Sequence, residues 1–291
     1  MIEVDYKKNV FTPSFISEIL KHRNFSLKKR YGQNFLINRF LAEKILKYAD
    51  LSIRDSVIEI GPGLGTLTFL ISEKVKQIAA VEIDCGFSKY LQEIVERAGA
   101  GNIRIINKDF LQIGSNDLMS SGEPCKVISN FPYSAGIKAI LKIVDDFKNV
   151  EIIIGTVQKE LADRLTAKPG SKNYAFVSVY LQYVSRIRVL EQNISPGNFF
   201  PSPGVMSSMI EVKRVKGELP VKTEIFKKVV RSCFANRRKN LINNLKLSNI
   251  KIDKEELINL IRYRYNDVKI RAESLSVEDF VELAGDVQPF M

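Results

Sequence analysis

Four consecutive residues, Asn130-Phe131-Pro132-Tyr133, carry groups suited to chemistry on an aromatic amine. The Asn130 carboxamide offers an oxygen that can accept from an exocyclic N–H. Pro132 has no N–H of its own, so it holds a turn while leaving a nearby carbonyl free to accept. Tyr133 offers a flat ring on which a base can stack. A second set lies upstream, in Glu59-Ile60-Gly61-Pro62-Gly63-Leu64-Gly65, where glycines let a backbone approach a ligand closely. This is not a dinucleotide fingerprint, because Thr66 stands at the third glycine's place and Gly65 comes one residue early. A third set is acidic: Glu82 and Asp84, then Asp109. One such acid commonly accepts from two ribose hydroxyls, and another can accept from an adenine amine. Alone, the glycines are an ordinary turn, Asp84 a solvated loop acid and Tyr133 a buried ring. Their order points to a pocket for an adenosine-like cofactor beside a base.

These residues need a frame, and the apolar pattern supplies one. Ser56–Ile60, Gln77–Ile83, Asn102–Ile106, Lys126–Ser129 and Val150–Val157 read as strands. Between them, 66–76, 88–98 and 137–144 show helical spacing of apolar residues. Strands alternating with helices predict βαβ units and a parallel sheet, so the fold class is α/β. Each chemical set then falls at the end of a strand. Beyond Gln158 come a helix, an ambiguous apolar stretch over 175–184, a loop with Pro196, Pro201 and Pro203, and a strand over 205–215. Gly217–Pro220 reads as a linker, with candidate helices over 225–247 and 254–262 beyond it. The expected boundaries are an arm over 1–24 with no recognisable motif, read as disordered or loosely packed, a Rossmann-like domain over 25–216 and a helical domain over 217–291.

The chain has 291 residues, is 45% apolar and carries a formal charge of +11, enough apolar content for a real core and two domains. The charge is local. Residues 19–42 hold six basic side chains and no acid, and residues 227–247 hold seven and no acid, while the rest is close to neutral. Two such blocks are the footprint of a polyanion partner, although either alone fits a solvated face. Nothing approaches a membrane span, and the first ten residues lack a signal peptide's apolar core. Cys85, Cys125 and Cys233 have no metal spacing and suggest a reducing compartment, so no metal is expected. His22 is the single histidine, which argues against a zinc site or a Ser-His-Asp triad.

Six segments occur in one order: Gln33-Asn34-Phe35-Leu36, Glu59–Gly63, Asn130–Tyr133, Gln158-Lys159-Glu160, Asn198–Pro201 and Phe234–Lys239. Together they resemble the S-adenosylmethionine-dependent rRNA adenine N6,N6-dimethyltransferase family, over about residues 25–290. The resemblance implies a Rossmann-like methyltransferase sheet with a small C-terminal all-α domain that binds RNA. It implies S-adenosyl-L-methionine as cofactor, held by Gln33, Asn34, Leu36, Gly61, Gly63, Glu82, Asp109 and Asn130. Asn130, Pro132, Tyr133 and Phe199 would act on the target adenine, with Phe199 closing the face opposite Tyr133. Lys28, Lys29, Arg30, Arg237, Arg238 and Lys239 would contact RNA. Within the family the likeness is to enzymes that modify two adjacent adenosines near the 3′ end of 16S rRNA, in the small ribosomal subunit or its precursor. A cytoplasmic monomer is expected. Phe131 departs from the pattern, which has Leu there. Three other readings compete: a large-subunit 23S rRNA methyltransferase of the macrolide-resistance type, a non-catalytic subunit assembly factor, and a nicotinamide oxidoreductase. The misplaced glycine and the lack of a proton donor disfavour the last.

Overall fold

The computed structural model describes Tyr6 and residues 9–118, 125–248 and 250–291. Its strands are β1 (Phe35–Leu36), β2 (Ser56–Ile60), β3 (Gln77–Glu82), β4 (Ile103–Asn107), β5 (Cys125–Asn130), β6 (Val150–Gln158), β7 (Ser185–Ile194), β8 (Phe199–Phe200) and β9 (Ser207–Arg214). Seven of them form one sheet in the order β4-β3-β2-β5-β6-β9-β7. The pairs β4–β3, β3–β2, β2–β5 and β5–β6 are parallel, and β9 runs antiparallel to β6. This is the α/β sheet that the sequence pattern predicts. Both faces are covered, so Val57, Ile58, Val127, Ile128, Ile153 and Ile154 are all buried.

The chain divides into two compact units. The first comprises the described residues of Met1–Ala162 together with Arg188–Arg214, and the second Asp163–Ile187 together with the described residues of Val215–Met291. The second therefore takes in Asp163–Ile187, where the sequence pattern drew one boundary near 217. Packing explains the difference. The Tyr174 hydroxyl donates to the Leu275 carbonyl at 2.8 Å, and Tyr183 both donates to and accepts from the Val221 backbone. The Tyr183 ring also stacks on Phe226 at 3.7 Å. Such long-range contacts leave no mark on local hydropathy.

In the first unit, β1 and β8 pair as a small antiparallel sheet, with Phe35 opposite Phe200 and Leu36 opposite Phe199. Asn38 follows β1, caps helix Arg39–Ala49 by accepting from the Leu41 N–H, and donates to Asn198 Oδ1 at 2.6 Å. Two motifs 160 residues apart are thus tied together. The described part of the N-terminal arm is not loosely packed. Pro13 opens helix Pro13–His22, which buries Ile16 and Ile19, while Tyr6, Val10 and Phe11 join the same core. The apolar spacing of the arm, and not a motif, is what holds it there.

In the second unit, the segment expected as one helix over 225–247 breaks into Thr223–Cys233 and Leu241–Leu245. The buried Asn244 carboxamide fills the gap. It accepts from the Asn236 N–H and donates to the Cys233 and Asn236 carbonyls, replacing helix partners with side-chain ones. The basic run Arg237–Lys239 therefore sits on a loop organised from beneath.

Candidate active site

In an open parallel sheet, ligands bind beyond the carboxyl ends of the strands where the strand order reverses. Here β2 lies between β3 and β5, so the reversal falls at the glycine loop. A cavity of about 290 Å³ opens there. Gln33, Asn34, Leu36, Gly61, Gly63, Glu82, Asp109 and Asn130 all line it, and so does Pro132. The structure brings members of all three chemical sets to one cavity, while Asp84 and Tyr133 stay off its lining.

Glycines set the loop geometry at two points. Gly63 has φ +57°, and a Cβ there would lie 2.8 Å from the Phe35 ring. Gly32 has φ +60°, and a Cβ there would lie 2.8 Å from the Tyr133 nitrogen and 2.9 Å from that of Ser134. Any side chain at Gly32 would push the β1 segment off the catalytic turn.

Glu82 ends β3 with its carboxylate turned inward. Oε2 accepts from the Gly63 N–H at 3.0 Å and Oε1 from the Asp84 N–H at 2.9 Å. Burial raises its pKa to about 7, against the pull of those N–H donors. Glu59 is more deeply buried, at 2% exposure, and burial raises it to about 8, with the nearby Glu82 charge adding to the rise. The Thr68 hydroxyl faces the Glu59 carboxyl and opposes that rise, and among the described residues Gln33 Nε2 is buried with no hydrogen-bond partner. Gln33 uses its other end, Oε1, to accept from the Lys28 N–H. Asp109 caps the turn after β4, accepting from the Leu111 N–H at 2.9 Å, with Ile83, Phe110 and Leu111 as apolar neighbours on the cavity wall.

Asp84 is not a solvated loop acid. It caps helix Cys85–Arg97 through the Gly86 and Phe87 N–H groups and meets the Lys28 ammonium at 2.7 Å. Burial acts to raise its pKa, but Lys28 and the two N–H donors outweigh this and hold it below the usual value. Lys28, expected at RNA, thus has a carboxylate partner already. Arg30 is exposed and lines the cavity mouth, with its guanidinium 4.8 Å from the Tyr31 ring centre. The side chain of Lys29 lies outside the described residues. In the second unit Arg237 pairs with Glu273 at 3.0 Å and donates to the Lys172 carbonyl, while Arg238 and Lys239 are exposed.

The Asn130–Tyr133 turn is held at several of its polar atoms. Asn130 Nδ2 donates to the Asn34 carbonyl at 2.7 Å, and Asn130 Oδ1 accepts from the Thr156 hydroxyl at 2.6 Å. The Pro132 carbonyl accepts from Ala135 and Gly136, starting helix Gly136–Asp146. The free carbonyl expected beside Asn130 is therefore not that of Pro132. Tyr133 is half-buried and its hydroxyl shares a hydrogen bond with Ser207 Oγ. Phe199 is 1% exposed, packs in the core with Leu36 and does not line the cavity. Its ring offers no open face to a base in this arrangement, because pairing with Leu36 turns it inward.

The donor set fits a cationic nucleoside. Two buried carboxyl groups line the cavity, where a positive charge would favour their ionised forms, the Gln33 amide adds a buried N–H donor, and apolar walls suit a base. Fold and site together define an S-adenosyl-L-methionine-dependent methyltransferase. A family model described as ribosomal RNA adenine dimethylase matches residues 24–283, and the chain belongs to that family. The chain is therefore an enzyme that dimethylates adenine in ribosomal RNA with S-adenosyl-L-methionine as cofactor. It is 39% identical over 272 residues to ribosomal RNA small subunit methyltransferase A of Clostridium botulinum (strain Langeland), covering 92% of this chain and 96% of that one. It is 36% identical over 290 residues to the protein of the same name from Geobacillus sp. (strain WCH70), covering 97% and 98%. Among solved structures, a dimethyladenosine transferase from Plasmodium falciparum aligns with TM-score 0.75 at 20% identity, over 88% of this chain and 100% of that one. The 23S rRNA methyltransferase ErmE aligns with TM-score 0.66 at 22% identity, over the same shares. These last two speak to the fold alone.

Thr156 and Ser207 escaped the sequence reading. The available signal was a hydroxyl inside the otherwise apolar run Val150–Val157, and a serine where the strand after the Pro-rich loop begins.

Proposed function

We propose that this enzyme dimethylates N6 of two adjacent adenosines near the 3′ end of 16S rRNA, in the small ribosomal subunit or its precursor, as a cytoplasmic monomer. Identity to small subunit methyltransferases over nearly the full length of both chains supports the choice of subunit.

The observation that carries the catalytic reading is the oriented Asn130 carboxamide. Its nitrogen end is committed to a carbonyl, which can only accept, so its oxygen end is the one left to receive an N–H. When bound, the cofactor supplies an electrophilic methyl group. The N6 lone pair is delocalised into the ring, so the residues must make it a better nucleophile. Asn130 Oδ1 accepts one N6–H through its remaining lone pair, and the Phe131 carbonyl, one peptide before Pro132, accepts the other. Both acceptors stabilise the positive charge that develops on nitrogen. The resulting ammonium is acidic, so the chain needs no tuned histidine. Tyr133 stacks on the extruded adenine and offsets about 1–3 kcal/mol of the unstacking cost. Lys28, Lys29, Arg30, Arg237, Arg238 and Lys239 are assigned to phosphates, and the Asp84 partner of Lys28 must yield for that contact. Gln33, Asn34, Leu36, Gly61, Gly63, Glu82 and Asp109 hold the cofactor. Phe199 receives no role on the base.

The test uses labelled S-adenosyl-L-methionine with unmodified 30S and 50S particles and maps the dimethylated adenines. Label at two neighbouring adenines of 16S rRNA is expected. Label only in 50S overturns the assignment and favours the macrolide-resistance type.

A further inference from the structure

The catalytic turn is anchored by two hydroxyls from neighbouring strands that no motif includes. Thr156 lies opposite Asn130 in the β5–β6 ladder and is fully buried. It engages the turn twice, its carbonyl accepting from the Phe131 N–H at 3.0 Å and its hydroxyl donating to Asn130 Oδ1 at 2.6 Å. Ser207 opens β9 opposite Gln158, is also fully buried, and shares a hydrogen bond with the Tyr133 hydroxyl. A carboxamide is nearly symmetric in shape but opposite in chemistry at its two ends. Were Asn130 turned over, an NH₂ would face the substrate amine, donor against donor. The Asn34 carbonyl can only accept, so it selects the orientation at one end, and the Thr156 hydroxyl, donating to Oδ1, tethers the other end in place.

We propose that Thr156 and Ser207 are positioning residues for methyl transfer, holding the acceptor of Asn130 and the ring of Tyr133 as one preset unit. This rests on the catalytic reading of Asn130 and Tyr133 given above. The two hydroxyls touch neither cofactor nor adenine. They act through the side chains that do, and their effect falls on turnover and leaves cofactor binding in place. Because small displacements of reacting groups cost much rate, loss of either hydroxyl is expected to lower kcat by about tenfold or more. Loss of Thr156 frees the carboxamide to turn, so it also weakens the second transfer, in which the amine has a single N–H left to donate. The ratio of monomethyl- to dimethyladenosine therefore rises.

The test compares wild type with Thr156→Val, Thr156→Ser and Ser207→Ala on whichever ribosomal particle the wild type labels, so an error about the subunit is scored separately. Turnover and the mono-to-dimethyl ratio are measured at saturating cofactor. S-adenosyl-L-methionine affinity is measured by calorimetry without RNA. The expected result is a kcat loss for Thr156→Val and Ser207→Ala, cofactor affinity within about twofold, and near-complete recovery in Thr156→Ser, which keeps the donor. Wild-type turnover in both Val and Ala variants overturns the proposal. So does an equal loss of cofactor affinity and turnover that Thr156→Ser fails to rescue, since that is the mark of a packing role. Should Thr156→Val fail to fold, Ser207→Ala and the Thr156→Ser product ratio still decide. An unchanged kcat in Ser207→Ala then sinks the proposal.

Discussion

Two walls of one cavity are built on opposite principles. On the β5 side, Asn130 and Pro132, with Tyr133 next to them just off the lining, have partners for their polar atoms: Asn34, Thr156, Ala135, Gly136 and Ser207. On the β2–β3 side, burial raises the pKa values of Glu59 and Glu82 to about 8 and about 7. The first wall is finished in advance, as expected of groups that must meet a transition state without reorganising. The second is unfinished in charge: burial disfavours the ionised forms of its two carboxyl groups, and a nearby cation would favour them. Such an arrangement stores recognition energy in desolvated carboxyl groups and releases it when the charged ligand arrives.

The largest effect should come from breaking the finished wall. Asn130→Ala removes the oriented acceptor and should lower kcat by at least about 10²–10³-fold, roughly 3–4 kcal/mol, by analogy with the loss of one preset group at a charge-developing centre. Cofactor affinity should remain measurable, because Gly61, Gly63, Glu82 and Asp109 are untouched. Calorimetry with S-adenosyl-L-methionine and single-turnover methylation separate the two. Wild-type turnover in this variant would remove Asn130 from the chemistry.

The unfinished wall should respond mainly in binding, and with a pH signature. Glu82 has its folded pKa raised from 4.5 to about 7. A cationic ligand prefers the ionised carboxylate, so affinity for S-adenosyl-L-methionine should rise between pH 6 and 8, with up to about half a proton released from Glu82 per ligand bound near pH 7. The free enzyme behaves oppositely. Its folded state holds the protons of Glu59 and Glu82 more tightly than the unfolded chain, so stability is full below about pH 4.5. That stability is lost as pH rises through about 7 and about 8. Glu82→Gln should weaken cofactor binding by about 10–100-fold, the value of a charged hydrogen bond, and flatten the pH dependence of affinity. Affinity independent of pH in the wild type would mean that the carboxylates are already ionised and the wall is complete without ligand.

The contrast also explains what the sequence could and could not show. The glycine loop, the acids at strand ends and Asn130–Tyr133 are local strings, each tied to the end of an apolar run, so the sheet and Gly61, Gly63, Glu82, Asp109 and Asn130 were legible, while Gln33, Asn34 and Leu36 came only with the family resemblance. Thr156 and Ser207 were not, because their partners lie 26 and 74 positions away. A lone hydroxyl in a strand says nothing of what it faces until the register is known. Phe199 shows the converse: its motif was legible, but the ring's direction depends on pairing with Leu36 in β1. Asp84 and Lys28 each looked solvent-facing until the fold set them 2.7 Å apart.

The smallest effect should come from the basic loop of the second unit. Arg237, Arg238 and Lys239 are adjacent, yet Arg237 is held by Glu273 and by the Lys172 carbonyl while Arg238 and Lys239 are exposed. A free cation neutralises a phosphate at little cost, whereas a cation already paired must first give up its carboxylate. Arg238→Ala and Lys239→Ala should each weaken RNA binding several-fold and reduce the slope of log affinity against log salt by about 0.7–0.9, one phosphate contact's worth. Arg237→Ala should change the slope less and lower thermal stability more, because it also releases Glu273. Binding of unmodified 30S particles by filter retention across a salt series, with melting curves for each variant, measures both. Three equal slope changes would show that the Glu273 pair opens freely on RNA and that loop geometry does not grade these side chains. No slope change in any of them would return the block to a solvated surface and leave the first basic segment, around Arg30, as the sole electrostatic grip.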